Sequence, residues 1–249
     1  MGKLSSRIVS KIPRGEALAD EALTNRRLAM VSEQIAGRGI RDSHLLQAMR
    51  EVPRHEFLPK TARDNAYEDR PLSIGEGQTI SQPYIVAAMI EPLDCGSNDH
   101  VLDVGTGSGY QAAILAQLVR SVVSIEYRPS LAARARKTLA WLGISNVTVL
   151  DGDGSDGSPV FSPYDAIVVA AGAPEAPSDL ISQLSKRGKM VVPVGTIDLQ
   201  HLTFFRRSGQ DLSEEVREGC VFVPLVGRQG WRHSGAKYRK LEGSALLTM

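Results

Sequence analysis

Cysteine is nearly missing from this sequence: Cys95 and Cys220 are the two thiols in 249 residues. So few, so far apart, exclude a disulfide scaffold and fit a reducing compartment. Neither has the histidine or cysteine company of a metal site. Aromatic residues are also scarce, at 5%, so no base-stacking surface is on offer. Charge of one sign is lacking too. The 29 basic and 28 acidic side chains leave a net charge of +1, which is no electrostatic footprint for nucleic acid. No apolar run approaches the roughly 20 residues of a membrane span. Met1 to Ala22 carries scattered charges and no apolar core of a secretory signal. The expectation is a cytoplasmic protein with no nucleic-acid or membrane partner.

What is present is ordinary globular composition, 42% apolar and 23% charged, in a chain long enough for one large domain with appendages. Its most informative stretch is Val101-Leu102-Asp103-Val104-Gly105-Thr106-Gly107-Ser108-Gly109-Tyr110. An apolar strand runs into a glycine turn, and an alanine- and leucine-rich helix follows. Glycines there let the backbone turn sharply and approach a ligand, and they deliver it to free N–H groups at a helix start. A dinucleotide fingerprint needs glycine at its third site, where this chain has Tyr110. Asp103, two residues before the first glycine, would repel a pyrophosphate but suits a ligand carrying an ammonium and a sulfonium. The next strand, Val122 to Ile125, ends in Glu126, placed to accept both hydroxyls of a ribose. A positively charged nucleoside without phosphates is S-adenosylmethionine.

Along the rest of the chain, Met1 to Leu23 reads as a loose or weakly helical extension. Leu28, Val31 and Ile35 form a helical stripe from about Asn25, stopped by Gly37 and Gly39. A short helix follows with Asp42 or Ser43 as cap and Leu45, Leu46 and Met49 on one face, ended by Pro53. His55 tempts as a base, but beside Arg54 and Glu56 a structural role is the more frequent one. In Ile74 to Tyr84, two glycines precede Gln78, Thr79 and Ser81, and a proline opens a helix over Tyr84 to Glu91. That is either a ligand loop or a plain helix start capped by Ser81. A helix over Ser130 to Leu142, capped by Ser130, leads to a strand at Val147 to Leu150 and the loop Asp151 to Gly154, where an adenine edge would be read. A strand from Tyr164 to Ala170, a helix over about Ala176 to Leu184, and strands at Lys189 to Val194, His201 to Arg206 and Cys220 to Pro224 complete the pattern. Helices alternate with strands early and strands pair late. The expected fold is therefore α/β, with a mainly parallel, doubly wound sheet and an antiparallel edge. The basic stretch Arg228 to Lys240 reads as a solvated surface.

Together these stretches resemble the protein-L-isoaspartate O-methyltransferases, over roughly residues 25 to 231. The most specific part is Gly77-Gln78-Thr79-Ile80-Ser81-Gln82-Pro83, joined by Val-Pro-Arg-His-Glu-Phe at Val52 to Phe57 and by Asp103 to Gln111. Gly152-Asp153-Gly154, Ala171 to Glu175 and Phe222 to Gly227 also fit. The resemblance implies a Rossmann-like class I S-adenosylmethionine-dependent methyltransferase at 25–231, with an N-terminal helical cap (25–92), an extension at 1–24 and a tail at 232–249. It implies methylation of the free α-carboxylate of L-isoaspartyl residues in damaged proteins and peptides, by a monomer, with S-adenosylhomocysteine as product.

By the same resemblance Ser81 is the active-site serine, and Gln78, Thr79 and Ile80 line its pocket. Gly105, Gly107, Ser108, Glu126, Tyr127, Asp153 and Gly154 hold the cofactor with Asp103. Thr79 and Val226 face the substrate, Val226 from a C-terminal segment that closes over the site. Glu76 stands where bacterial members commonly have histidine and is expected to point to solvent. Gly172 replaces a common alanine, apparently without harm. Rivals are a relative retargeted to a tailored peptide or small-molecule carboxylate, a silent adaptor that binds damaged proteins, and a nicotinamide oxidoreductase, against which Asp103 and Tyr110 speak.

Overall fold

The structure, a computed structural model, describes residues 14–234 and 237–240, with side chains over 21–231. Residues 1–13 and 241–249 of the expected extension and tail lie outside that range.

Helix α1 (Arg14–Ala29) begins well before the expected start near Asn25 and crosses the expected boundary at 24/25. A π-helical segment, Met30–Ile35, and a short 3-10 turn continue it to Gly39, whose φ of 107° ends the run. Helix α2 (Ser43–Glu51) is capped by Asp42, which accepts from the backbone N–H of His44 (2.8 Å) and Leu45 (3.3 Å). This satisfies donors that a helix start leaves orphaned. Met30, Val31, Ile35, Leu45 and Met49 are all buried in one core with the helices that follow.

A hairpin comes next, β1 (Leu72–Gly75) and β2 (Gln78–Ile80), where a loop was expected. Helix α3 (Pro83–Ile90) starts with proline in its first turn, and no side chain caps it, so Ser81 is not a cap. The sheet then builds through β3 (His100–Val104), α4 (Tyr110–Leu118), β4 (Ser121–Glu126), α5 (Pro129–Trp141), β5 (Val147–Asp151), β6 (Tyr164–Val169), α6 (Ser178–Ser182) and β7 (Leu184–Gly195). The strands β8 (Gln200–Ser208) and β9 (Asp211–Cys220) complete it, and a backbone hairpin of β10 (Trp231–Ser234) and β11 (Lys237–Lys240) lies beyond.

The strand order is β5-β4-β3-β6-β7-β8-β9. Strands up to β7 run parallel; β8 and β9 are antiparallel, because the turns that join them are too short for a crossover. Side chains alternate across the sheet as the strand period requires. Val101, Val122, Ala166 and Val168 enter the core beneath α3, α4 and α5, while Leu102, Val104, Val123 and Ile167 enter the core on the α6 face.

Several boundaries differ from expectation: α6 is shorter than Ala176 to Leu184, and β7 starts five residues before Lys189. The edge strand is Asp211–Cys220 and not Cys220 to Pro224; its sequence is largely charged because both its faces meet solvent. Residues 221–226 instead run beside the loop after β6, bridging Gly172 to Pro224. Helix α5 begins at Pro129 with Arg128 as its cap residue, and the Ser130 hydroxyl does not cap it.

Candidate active site

At the carboxyl ends of β3, β4, β5 and β6 lies a cleft of about 830 Å³, its open mouth included. That is where open α/β sheets bind ligands. Its floor is the Gly105–Gly109 turn, whose three glycines have φ of 90°, 54° and 92°, a region that residues with a Cβ avoid. Gly105, Gly107 and Ser108 line the cleft.

Glu126 is 6% exposed and faces the same space. Its Oε2 accepts from Gly107 N (2.7 Å) and its Oε1 from Arg128 N (2.9 Å). The carboxylate is thereby locked to the glycine turn, with lone pairs left over on both oxygens. Tyr127 stands beside it at the rim, 55% exposed. Gly154 lines the far wall, where a Cβ would come within 2.6 Å of Val104 Cγ1.

The β1–β2 hairpin supplies Gln78, Thr79, Ile80 and Ser81 as the opposing wall. No described residue hydrogen-bonds the Ser81 hydroxyl, which is left free at the cleft surface. Glu76 sits in the hairpin turn at a φ of 53°. It is exposed and off the cleft lining, as expected, but it is not without partners. Its carboxylate accepts a hydrogen bond from the Ser130 hydroxyl and lies 4.0 Å from Arg128 Nη1. With its amide oxygen turned inward, Gln78 accepts from Arg128 Nε (3.3 Å) and Nη2 (3.2 Å). Arg128 thus fastens the hairpin to the turn after β4, and a negative charge in the serine loop is neutralised locally.

The roof is residues 223–226, including Val226. Trp231 pins it by donating from Nε1 to Gly172 O (2.9 Å), and Leu225 N also donates to Gly172 O (2.8 Å). A Cβ at Gly172 would stand 2.9 Å from Gln200 Cδ, so the glycine makes room for Gln200, whose Oε1 accepts from Phe222 N (2.8 Å). That glycine is tied to its neighbour and is not an idle exchange. Arg228, expected to be plain solvated surface, is held by Asp156 (2.9 Å) and by Asp179.

Two expected cofactor residues lie behind the wall. Asp103 is fully buried and absent from the lining. Gln111 Nε2 donates to its Oδ1 (2.7 Å) and Ser124 Oγ to its Oδ2 (2.6 Å). Strand alternation puts Asp103 on the face of Val101, under the start of α4, so it does not meet the cleft by contact. Burial pushes its carboxyl up to about 6, against the pull of the Ser124 and Gln111 hydrogen bonds. Asp153 likewise turns outward. It accepts from Ser155 N (2.9 Å), Ser155 Oγ (2.7 Å) and Arg228 N (2.6 Å), and so ties the loop after β5 to the roof. His55 is buried against Tyr67 Oη (2.6 Å) and Glu56 Oε1 (3.2 Å), away from the cleft.

Lining residues to which the sequence assigned no place in the site include Tyr110 and Gln111, although they stand in the glycine-turn motif, and Val86 and Arg128. Arg128 follows Glu126 by two positions, and that proximity was the one available signal.

The cleft suits S-adenosylmethionine in shape and donor set. It joins a glycine cradle that a Cβ would fill, a fixed carboxylate for a diol and an apolar roof. The family model of the protein-L-isoaspartate(D-aspartate) O-methyltransferases matches residues 25–230. A protein-L-isoaspartate O-methyltransferase of Methanoculleus marisnigri is 53% identical over 82% of this chain and 92% of its own. Protein-L-isoaspartate O-methyltransferase 2 of Pelobacter propionicus is 54% identical over 83% and 92%. A solved protein-L-isoaspartate O-methyltransferase overlays with a TM-score of 0.73 at 30% identity, covering 83% of this chain and 67% of that one. A Plasmodium falciparum chain solved with S-adenosyl-L-homocysteine shares the fold at a TM-score of 0.70 and 23% identity, over 80% and 98%.

Proposed function

Because this chain belongs to the protein-L-isoaspartate(D-aspartate) O-methyltransferase family, we propose that its cleft carries out that family's reaction with the residues described above. The protein transfers a methyl group from S-adenosylmethionine to the α-carboxylate of L-isoaspartyl residues in damaged proteins, which initiates their repair.

Bound S-adenosylmethionine supplies an electrophilic methyl group. The acceptor is a carboxylate, ionised at neutral pH because such groups titrate near 4. It therefore needs no general base, and no described residue offers one beside Ser81. What the chain contributes is placement. Glu126 and the Gly105–Ser108 turn hold the nucleoside, Gly154 and Tyr127 flank the base, and Thr79 and Val226 border the acceptor. The Ser81 hydroxyl donates to one oxygen of the acceptor and leaves the other aimed at the methyl carbon. Ser81 is a positioning donor and not a nucleophile, because no histidine or carboxylate among the described residues reaches it. The free hydroxyl at the cleft wall is the observation that carries this reading.

The nearly even charge supports a polypeptide and not a nucleic-acid substrate. The two unjoined thiols support a reducing, cytoplasmic location. No helix among the described residues is long and apolar enough to cross a membrane.

The direct test uses labelled S-adenosylmethionine and two peptides that differ only in an isoaspartyl or an ordinary aspartyl linkage. Base-labile label on the isoaspartyl peptide alone is expected. Label on neither peptide, with cofactor still bound, would redirect the site to another carboxylate.

A further inference from the structure

Behind Ser81 lies a charge that the reaction as described leaves unused. Arg54 is fully buried. Its Nε donates to Ala66 O (2.8 Å) and its Nη2 donates to the carbonyl oxygen of Ser81 (2.8 Å). Its Cζ stands 4.9 Å from the centre of the Tyr110 ring, and its Nη1 has no partner. Among the described residues no carboxylate pairs with it. Glu56, two residues on, is taken by Arg63 at 2.5 and 3.3 Å and by His55 Nε2 at 3.2 Å. The Tyr110 hydroxyl is buried and equally without a partner. Burial lowers the Arg54 guanidinium to about 10, which leaves it charged at neutral pH.

A buried charge without a counter-ion is costly, and protein interiors normally pair it. Here two immediate neighbours of the guanidinium, Ser81 and Tyr110, are themselves walls of the cleft. With no counter-ion among the described residues, an anion can approach the guanidinium from the cleft side of those walls. That is where carboxyl methylation brings its acceptor.

We propose that Arg54 is a positioning residue for the acceptor carboxylate: it anchors the Ser81 loop by its bond to the Ser81 carbonyl, and its uncompensated charge favours an anion in the cleft. The proposal rests on the carboxyl-methylation reading. It assigns to Val-Pro-Arg a task beyond packing, and it makes the cleft electrostatically prepared for a charged substrate over its neutral analogue.

The test measures binding, in the presence of S-adenosylhomocysteine, of an isoaspartyl peptide and of the same peptide with that α-carboxylate replaced by a carboxamide. The wild-type protein is expected to favour the carboxylate by roughly tenfold or more. Arg54→Met should bring the ratio to within about twofold while S-adenosylhomocysteine affinity stays within about threefold. Arg54→Lys keeps the charge but cannot bond both carbonyls in the same fork. It should retain the preference within about threefold yet lose roughly tenfold in kcat, since the serine loop is no longer anchored.

An unchanged ratio in Arg54→Met overturns the proposal. So does a loss of cofactor affinity in step with the ratio, which a structural role alone would produce. If Arg54→Met does not fold by circular dichroism, Arg54→Lys decides, and a lost preference or an unchanged kcat overturns the proposal. A wild-type protein that methylates neither peptide overturns both this proposal and the reading beneath it. An active wild-type protein with indifferent variants overturns this proposal alone.

Discussion

The Ser81 hydroxyl lines the cleft and has no hydrogen-bond partner among the described residues. Removing its hydroxyl should therefore leave the apo protein and its cofactor site as they are. Ser81→Ala is expected to lower kcat by roughly 10- to 100-fold through misplacement of the acceptor, with S-adenosylmethionine affinity unchanged by calorimetry. Equal losses in both would remove the positioning role. Asp103 is the opposite case, a carboxyl whose every described contact is internal. Its folded-state value of about 6 lies above the unfolded value near 4, so the fold favours the protonated form. The stabilisation is fully present below about pH 4 and is lost as pH rises through 6. Compared by urea unfolding at pH 4 and pH 7, wild-type protein should lose roughly 2–3 kcal/mol relative to Asp103→Asn. A constant difference would mean that Asp103 titrates alike in the folded and unfolded chain. The acid before the glycine turn was legible as a motif, but its depth was not, although the period of β3 puts it on the face of Val101.

Among the elements, the roof is held by glycines as much as by side chains. A Cβ on Gly227 would overlap Asp153 Oδ1, and one on Gly154 would press on Val104. Gly227→Ala should break the Asp153–Arg228 link and raise the cofactor Kd by roughly tenfold. Circular dichroism should stay native while proteolysis appears within 222–231; an unchanged Kd would show that the roof does not close the site. The long apolar strands and the glycine turn could be read in advance because burial on both faces leaves a continuous hydrophobic run. The edge strand β9 could not, since a strand wet on both faces carries no such pattern. The β1–β2 hairpin hid for another reason. Its turn uses Glu76 at a positive φ where the usual hairpin signal is Asn-Gly or Asp-Gly. Arg128, which fastens that hairpin, shows its purpose only when residues some fifty positions apart are brought together.

For the molecule as a whole, the cleft is assembled from three stretches spread over most of the chain: the hairpin before the sheet, the turns at its centre and the segment after its last strand. Residue types could locate each of them. What the sequence could not show was the wiring between them: Arg54 to Ser81, Asp153 to Arg228 and Gly172 to Trp231. Such links join positions with no common periodicity. They also impose an order in time. A ribosome releases the hairpin and the glycine turn early, and by the end of β6 the floor is complete. The roof and its pin at Trp231 emerge only after a further sixty or so residues. Until then a growing chain has a cradle without a cover, so it cannot retain the nucleoside or align an acceptor. Activity is therefore expected only once the segment up to Trp231 has been made, which methyl-transfer assays on chains truncated before and after residues 222–231 would check.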